Sequence, residues 1–269
     1  MGKVFVFDVA KCNGCRNCQI ACKDEHVDND WSPWSRPQPD TGHFWCRIEE
    51  RVRGQVPKVR VSYVMHRCQH CENAPCMAAA PEAVYRREDE LVIVDPEKAA
   101  GRRELVEACP YGAVYWNDEL DIPQKCDGCA HLVDAGELPH CVELCATGAL
   151  KFGEEEDFAE EIARATQIVP EDGCRPRVYY LNAPGLFIGG EAWNSEDNEV
   201  IVGAKVTLTL PDGSVRETET DDFGDFWFRN LEPGTYAVSL EAPGYAPASR
   251  EAIQLDKSLN IGDFDLAKA

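Results

Sequence analysis

Four cysteine-bearing segments built on one spacing, C-x2-C-x(2–11)-C-x3-C, constrain this chain more than any other feature. The first is complete, with Cys12, Cys15, Cys18 and Cys22. The second, CQHCENAPC, supplies Cys68, Cys71 and Cys76, but Ala80 stands where a fourth cysteine before Pro81 is expected. The third ends in Cys109-Pro110, and counting back by four, three and three lands on Leu105, Arg102 and Ala99. The fourth is complete again, with Cys126, Cys129, Cys141 and Cys145. The segments hold twelve of the fourteen cysteines; Cys46 and Cys174 lie outside them and read as small buried residues.

Such a pattern is a ligand pattern. A disulfide framework suits short secreted chains with a signal peptide, whereas the start MGKVFVFDVAKCNGC has an apolar run too short for a signal and enters the first cluster directly. No cleavage is therefore expected. Zinc is the competing metal, since CxxC pairs also build tetrahedral zinc sites. The C-x2-C-x2-C-x3-C run favours iron–sulfur, because a compact zinc site needs neither a third cysteine two residues on nor a fourth borrowed from far away.

Two-cluster bacterial ferredoxins lend the fourth cysteine of each run to the other cluster. Applied here, crossed ligation gives one [4Fe–4S] cluster on Cys12, Cys15, Cys18 and Cys145, and a second on Cys22, Cys126, Cys129 and Cys141. A third falls on Cys68, Cys71, Cys76 and Cys109. The remaining site would be Ala80, Ala99, Arg102 and Leu105, which offers no thiolate. Four losses scattered over two segments thus collapse onto one vacant site, so the chain is expected to carry three clusters on a scaffold laid out for four. Pro110 and the small residues after each run bring backbone N–H groups toward cluster sulfurs, where hydrogen bonds tune potential. Lys23, Lys125, His70 and His131 read as solvated or structural, and the aromatic stretch with His26, Trp31, Trp34, His43 and Trp45 as a folded loop.

The net charge of −21 disfavours nucleic acid and anionic lipid as partners. No stretch approaches the eighteen or so apolar residues that span a bilayer, so membrane association would run through a partner. A cytoplasmic location is expected, the alternative being export with a partner that bears a twin-arginine signal. No phosphate-cradling loop, activated nucleophile or nicotinamide fingerprint is visible, so the chain reads as an electron carrier without catalytic residues of its own.

Short β-like runs at Val4–Phe7, Val59–Val64 and Leu91–Val94 fit the strands of an α+β ferredoxin unit, and Asp157–Thr166 looks helical. Alternating strand patterns begin near Val200, punctuated by Pro211-Asp212-Gly213 and Glu232-Pro233-Gly234. The expected fold is therefore α+β: a tandem ferredoxin-like iron–sulfur domain over 1–190, then a small all-β immunoglobulin-like sandwich over 196–269. The tail, GAKVTLTLPDG through TDDFGDFWFRNLEPGTYAV, resembles the Cna-B and carboxypeptidase-regulatory-like modules.

Over about residues 1–185 the motifs resemble the iron–sulfur subunits of molybdopterin oxidoreductases of the dimethyl sulfoxide reductase family. Its members hold four clusters in line, and this sequence departs from them at one, which implies a shortened relay. The stretches CQHCENAPC, DPEKAAGRRELVEACPYGAVYWN, QKCDGCAHLVD and RPRVYY, with the β tail, resemble the branch whose large subunit transfers or removes hydroxyl groups on pyrogallol- or catechol-type aromatics. The resemblance implies a large catalytic partner carrying bis-molybdopterin guanine dinucleotide and the substrate site. Other molybdopterin oxidoreductases of the family, or a freely exchanging polyferredoxin, are the alternatives.

Overall fold

In the computed structural model, residues 2–168 and 173–269 are described. They form two compact units, one of residues 1–51 and 62–183, the other of 52–61 and 184–269.

The first unit is organised by the strand Lys3–Asp8. It pairs antiparallel with Leu150–Glu154 (Phe5 opposite Phe152) and parallel with Val178–Leu181 (Val6 opposite Tyr179). As the central strand it is covered on both faces, and the period-2 alternation of side chains divides its sequence KVFVFD between two cores. Val4 and Val6 pack with Tyr179 and Leu181 on one side. Phe5 and Phe7 point to the other, into a core that also holds Cys18, Cys22, Cys68, Cys126 and Cys141.

Around this sheet lie two minimal hairpins, Val84–Arg86 with Val92–Val94 and Tyr115–Asn117 with Ile122–Gln124, and a few short helices. The longest, Asn17–His26, starts after Arg16 in a left-handed conformation (φ 63°) and buries Cys18 and Cys22 one turn apart on one face. The expected helix at Asp157–Thr166 is shorter: a 3₁₀ turn Glu155–Phe158 leads into Ala159–Ile162, and Thr166 already bridges to Tyr180.

The second unit is a sandwich of two four-stranded sheets. One runs Val215–Glu219, Lys205–Thr209, Gly234–Glu241, Ala248–Leu255; the other joins Leu186–Asn194 to Glu199–Val200, Asp225–Leu231 and Leu259–Asp265. Ile188, Val206, Leu208, Phe226, Val238, Leu240 and Phe264 fill the space between. The strand Leu186–Asn194 lies upstream of Val200, where strand patterning was expected to begin. Its sequence LFIGGEAWN lacks clean alternation because Gly190 passes beneath the Phe226 ring, which a Cβ there would meet at 2.5 Å. None of the residues of this unit is Cys or His. Among the described residues no helix is long and apolar enough to cross a membrane.

Candidate iron–sulfur centres

All fourteen thiols are unbridged, so disulfides do not organise this core. Three groups of four stand together instead. The Cys12 thiol is raised by burial, and then by the nearby thiols of Cys18, Cys15 and Cys145. Cys129 is pushed well up by burial, by Asp127, and by Cys141, Cys22 and Cys126. Cys76 is pushed up to about 11 by burial, with Cys68 and Cys109 adding to the shift, and Cys71 is raised with Cys68 and Cys76 beside it. Crowding four acidic sulfurs in a poorly solvated space is unfavourable for the thiolates unless a cation joins them, which makes each group a fit receptor for metal. The first group lies nearest water, with Cys15 exposed and Cys12 and Cys145 half-buried; all four thiols of the second are buried.

The backbone around the groups repeats itself. In Cys12-Asn13-Gly14-Cys15 and Cys126-Asp127-Gly128-Cys129 the glycine has φ +74°. In both, the side chain before it accepts from the next cysteine's N–H: Asn13 Oδ1 from Cys15 at 3.2 Å, Asp127 Oδ1 from Cys129 at 2.8 Å. In the second segment His70 takes the same left-handed position. Amides also turn toward sulfur. Gly128 N–H reaches Cys126 Sγ at 3.3 Å, Ala113 N–H reaches Cys109 at 3.4 Å, and Leu150 N–H reaches Cys145 at 3.3 Å.

Substituting Gly128 by Ala separates two costs. A non-glycine residue in the left-handed region loses roughly 1–2 kcal/mol, and here the new Cβ would also meet Leu91 Cδ1 at 2.7 Å. Gly101 has the same φ of +74° but only Asp121 Oδ2, at 3.9 Å, near its Cβ position. Gly101→Ala should therefore lower the temperature at which visible absorbance bleaches only slightly, and Gly128→Ala much more.

The fourth set of positions is closed. Ala80, Ala99 and Leu105 are completely buried in an apolar cluster with Ala83, Val84, Val92 and Val114. Arg102 does not join them; its guanidinium turns outward to Glu82 and, at 3.1 Å, to Glu104. Yet in Ala99-Ala100-Gly101-Arg102 the glycine keeps the φ of +74° that Gly14 and Gly128 have in the first and fourth segments.

Around the second group sits a charged shell whose members have no cysteine spacing to announce them. His26 and Asp127 are 1% and 2% exposed, with Nε2 and Oδ1 3.3 Å apart. Burial opposes a charged imidazole, but the Asp127 carboxylate beside it outweighs that and holds His26 well above its ordinary value. The same pairing holds Asp127 below its ordinary value against the effect of burial. His26 Nδ1 also faces the Cys22 carbonyl at 2.9 Å, and Ser35 Oγ donates to Asp127 at 2.9 Å. His26, Asp127 and Cys129 come within 4.8 Å of one another, but Cys129 belongs to the second group and the other two already pair. They make no separate metal site.

Arg67, 1% exposed, points Nη2 at Cys126 Sγ (2.9 Å) and Nη1 toward Cys141 Sγ (3.9 Å), while its Nε has no partner. Cys46, a spare thiol, is buried, and its pKa is pushed well up by its neighbours Cys141 of the second group and Cys18 of the first and by burial. Cys174 is buried too, 3.2 Å from the Tyr111 hydroxyl and against Cys71.

Lys125 and His70, expected to be solvated or structural, are 4% and 2% exposed. Lys125 donates to the carbonyls of Val92 and, at 3.0 Å, Cys126. His70 Nδ1 accepts the Val92 N–H at 3.0 Å, so its Nε2 carries the proton, with no acceptor in the protein. Lys23 and His131 are structural, Lys23 bonded to the His43 carbonyl (3.0 Å) and His131 stacked on Trp31 (ring centroids 3.9 Å). The aromatic loop is a folded one, with Trp45 buried against His26 at 4.7 Å between rings. One sequence signal could have pointed to the cations: a basic residue precedes the opening CxxC pair of the first, second and fourth segments, as Lys11, Arg67 and Lys125.

An α+β core that gathers cysteines around small hairpins and short helices defines a ferredoxin-like iron–sulfur protein. Residues 59–155 match the 4Fe-4S dicluster domain family and residues 188–267 the carboxypeptidase regulatory-like domain family. The chain is 39% identical to the pyrogallol hydroxytransferase small subunit of Pelobacter acidigallici, over 97% of this chain and 98% of that one. It is 31% identical to a tetrathionate reductase subunit of Salmonella typhimurium, over 68% of this chain and 73% of that one. It is 32% identical to an anaerobic dimethyl sulfoxide reductase chain of Escherichia coli K12, over 68% and 86%. The chain thus belongs to the iron–sulfur electron-transfer subunits of the molybdopterin oxidoreductases of the dimethyl sulfoxide reductase family.

Proposed function

We propose that the chain carries three [4Fe–4S] clusters and passes electrons for a separate large subunit that transfers or removes hydroxyl groups on polyhydroxylated aromatics. The first cluster is assigned to Cys12, Cys15, Cys18 and Cys145, the second to Cys22, Cys126, Cys129 and Cys141, the third to Cys68, Cys71, Cys76 and Cys109. Each cluster, when bound, takes up or releases one electron. This chain's residues supply the thiolates, the amide donors to sulfur and the exclusion of water. The observation that carries the reading is the fourth position: Ala80, Ala99 and Leu105 fill with aliphatic carbon the place where ligands would stand.

The substrate class rests on similarity to the pyrogallol hydroxytransferase small subunit through the whole length, sandwich included. The large partner, with bis-molybdopterin guanine dinucleotide and the substrate site, is what membership of the family implies, and similarity to subunits of multi-subunit enzymes supports it. The test is metal analysis of the anaerobically purified complex together with turnover on pyrogallol and catechol. About twelve iron per small subunit, with molybdenum in the complex, is the expected result. About sixteen iron would sink the cluster count, and absence of molybdenum would sink the partner.

A further inference from the structure

We infer that Arg67 sets the reduction potential of the second cluster, offsetting a burial that would otherwise make that cluster an uphill step between the first and the third. The inference rests on the cluster assignment proposed above and concerns one residue that the assignment leaves without a role.

The second cysteine group stands between the other two. Its Cys22 lies one turn from Cys18 of the first group on the helix Asn17–His26, and Arg67, next to Cys68 of the third group, reaches its Cys126 Sγ at 2.9 Å. An electron crossing the chain would therefore reside on it. Reducing a [4Fe–4S]²⁺ cluster to [4Fe–4S]⁺ adds one electron and no proton, so the reduced form carries one more negative charge. Burial penalises that form and lowers the potential. The first group has an exposed cysteine, so water can help to stabilise its reduced form; the second, with every thiol buried, has no such help. A fixed positive charge has to do there what water does at the first.

A basic residue precedes the opening CxxC pair of each of three segments, and the three are used differently. Lys11, beside the first group, is exposed. Lys125 is buried but spends hydrogen bonds on the carbonyls of Val92 and Cys126. Only Arg67 donates to sulfur. Its guanidinium carbon lies 3.4 Å from the centroid of the Phe5 ring, which holds the plane so that both Nη atoms face Cys126 and Cys141. Guanidinium does not deprotonate in proteins, so the charge is permanent. The other charges at this group, His26 and Asp127, pair with each other and largely cancel. Arg67 is thus a potential-setting residue, not a ligand, and its unpartnered Nε leaves one more donor for the cluster.

The test is an EPR-monitored redox titration, with dithionite as reductant, of the complete complex in wild type, Arg67→Lys and Arg67→Met. Iron is counted per small subunit in each, and the second cluster's signal is identified as the one lost in Cys126→Ser. Three clusters in every Arg67 variant, with only that midpoint potential lowered, more in Arg67→Met than in Arg67→Lys, is the expected result. Unchanged potentials, or one common shift of all three, would overturn the inference. So would loss of the second cluster's iron in both variants, which would make Arg67 structural. Fewer than three clusters in the wild type would instead remove the assignment on which the inference stands.

Discussion

Asp127→Ala should destabilise the first unit by about 3–5 kcal/mol, the cost of removing one partner from a buried ion pair. The substitution leaves the His26 imidazolium, 1% exposed, without its counter-charge, and also strips the acceptors of the Cys129 N–H and the Ser35 hydroxyl. Asp127→Asn restores a side-chain oxygen for the Cys129 N–H and should recover about 1 kcal/mol of that loss. The decisive comparison is the double variant Asp127→Asn with His26→Gln, which leaves no charge buried. It should be more stable than the sum of the two single losses requires, because what each single change exposes is the unpaired charge of the other. Anaerobic denaturant unfolding followed by visible absorbance measures all four proteins. Strict additivity would mean that the two side chains do not act as a pair.

His26 and Asp127 also mark where sequence reasoning stops. The cysteine segments are legible because iron–sulfur ligation imposes a spacing on the chain, and spacing survives in a one-dimensional record. Fold class is legible for the same reason, with turn residues such as Pro211-Asp212-Gly213 announcing the sandwich. A charge partner has no such spacing. His26 and Asp127 are 101 positions apart, and nothing in either neighbourhood says that the helix Asn17–His26 will set one against the other. Arg67 is half-legible. Its place before Cys68 is plain, but the sulfurs it reaches belong to Cys126 and Cys141, brought to it by the fold. The strand Leu186–Asn194 is hidden for another reason: its paired glycines serve the close approach of Phe226 and Trp227, and they erase the alternation by which strands are recognised.

The quadruple variant Ala80→Cys, Ala99→Cys, Arg102→Cys and Leu105→Cys should gain a cluster, raising iron by about four per chain. Three features of the chain favour it. Gly101 still holds the left-handed turn that Gly14 and Gly128 hold between ligating pairs, so the backbone that presents two thiols three residues apart is in place. The positions of Ala80, Ala99 and Leu105 already converge in one buried cluster, so no strand or helix has to move to bring them together. Removing the Leu105 side chain opens space where three of the four sulfurs would enter. Against it stands Arg102, whose guanidinium pairs with Glu82 and Glu104; its backbone must let a cysteine side chain turn inward, leaving those carboxylates to water. They are half exposed, so solvation should replace most of what the pairs contribute. With Arg102 retained and only the other three positions changed, one corner of the cubane has no thiolate, and a [3Fe–4S] cluster or no added iron should result. A triple variant that incorporates as much iron as the quadruple would show that Arg102 does not occupy a ligand position, and the vacant site would then need to be redrawn around a different fourth residue.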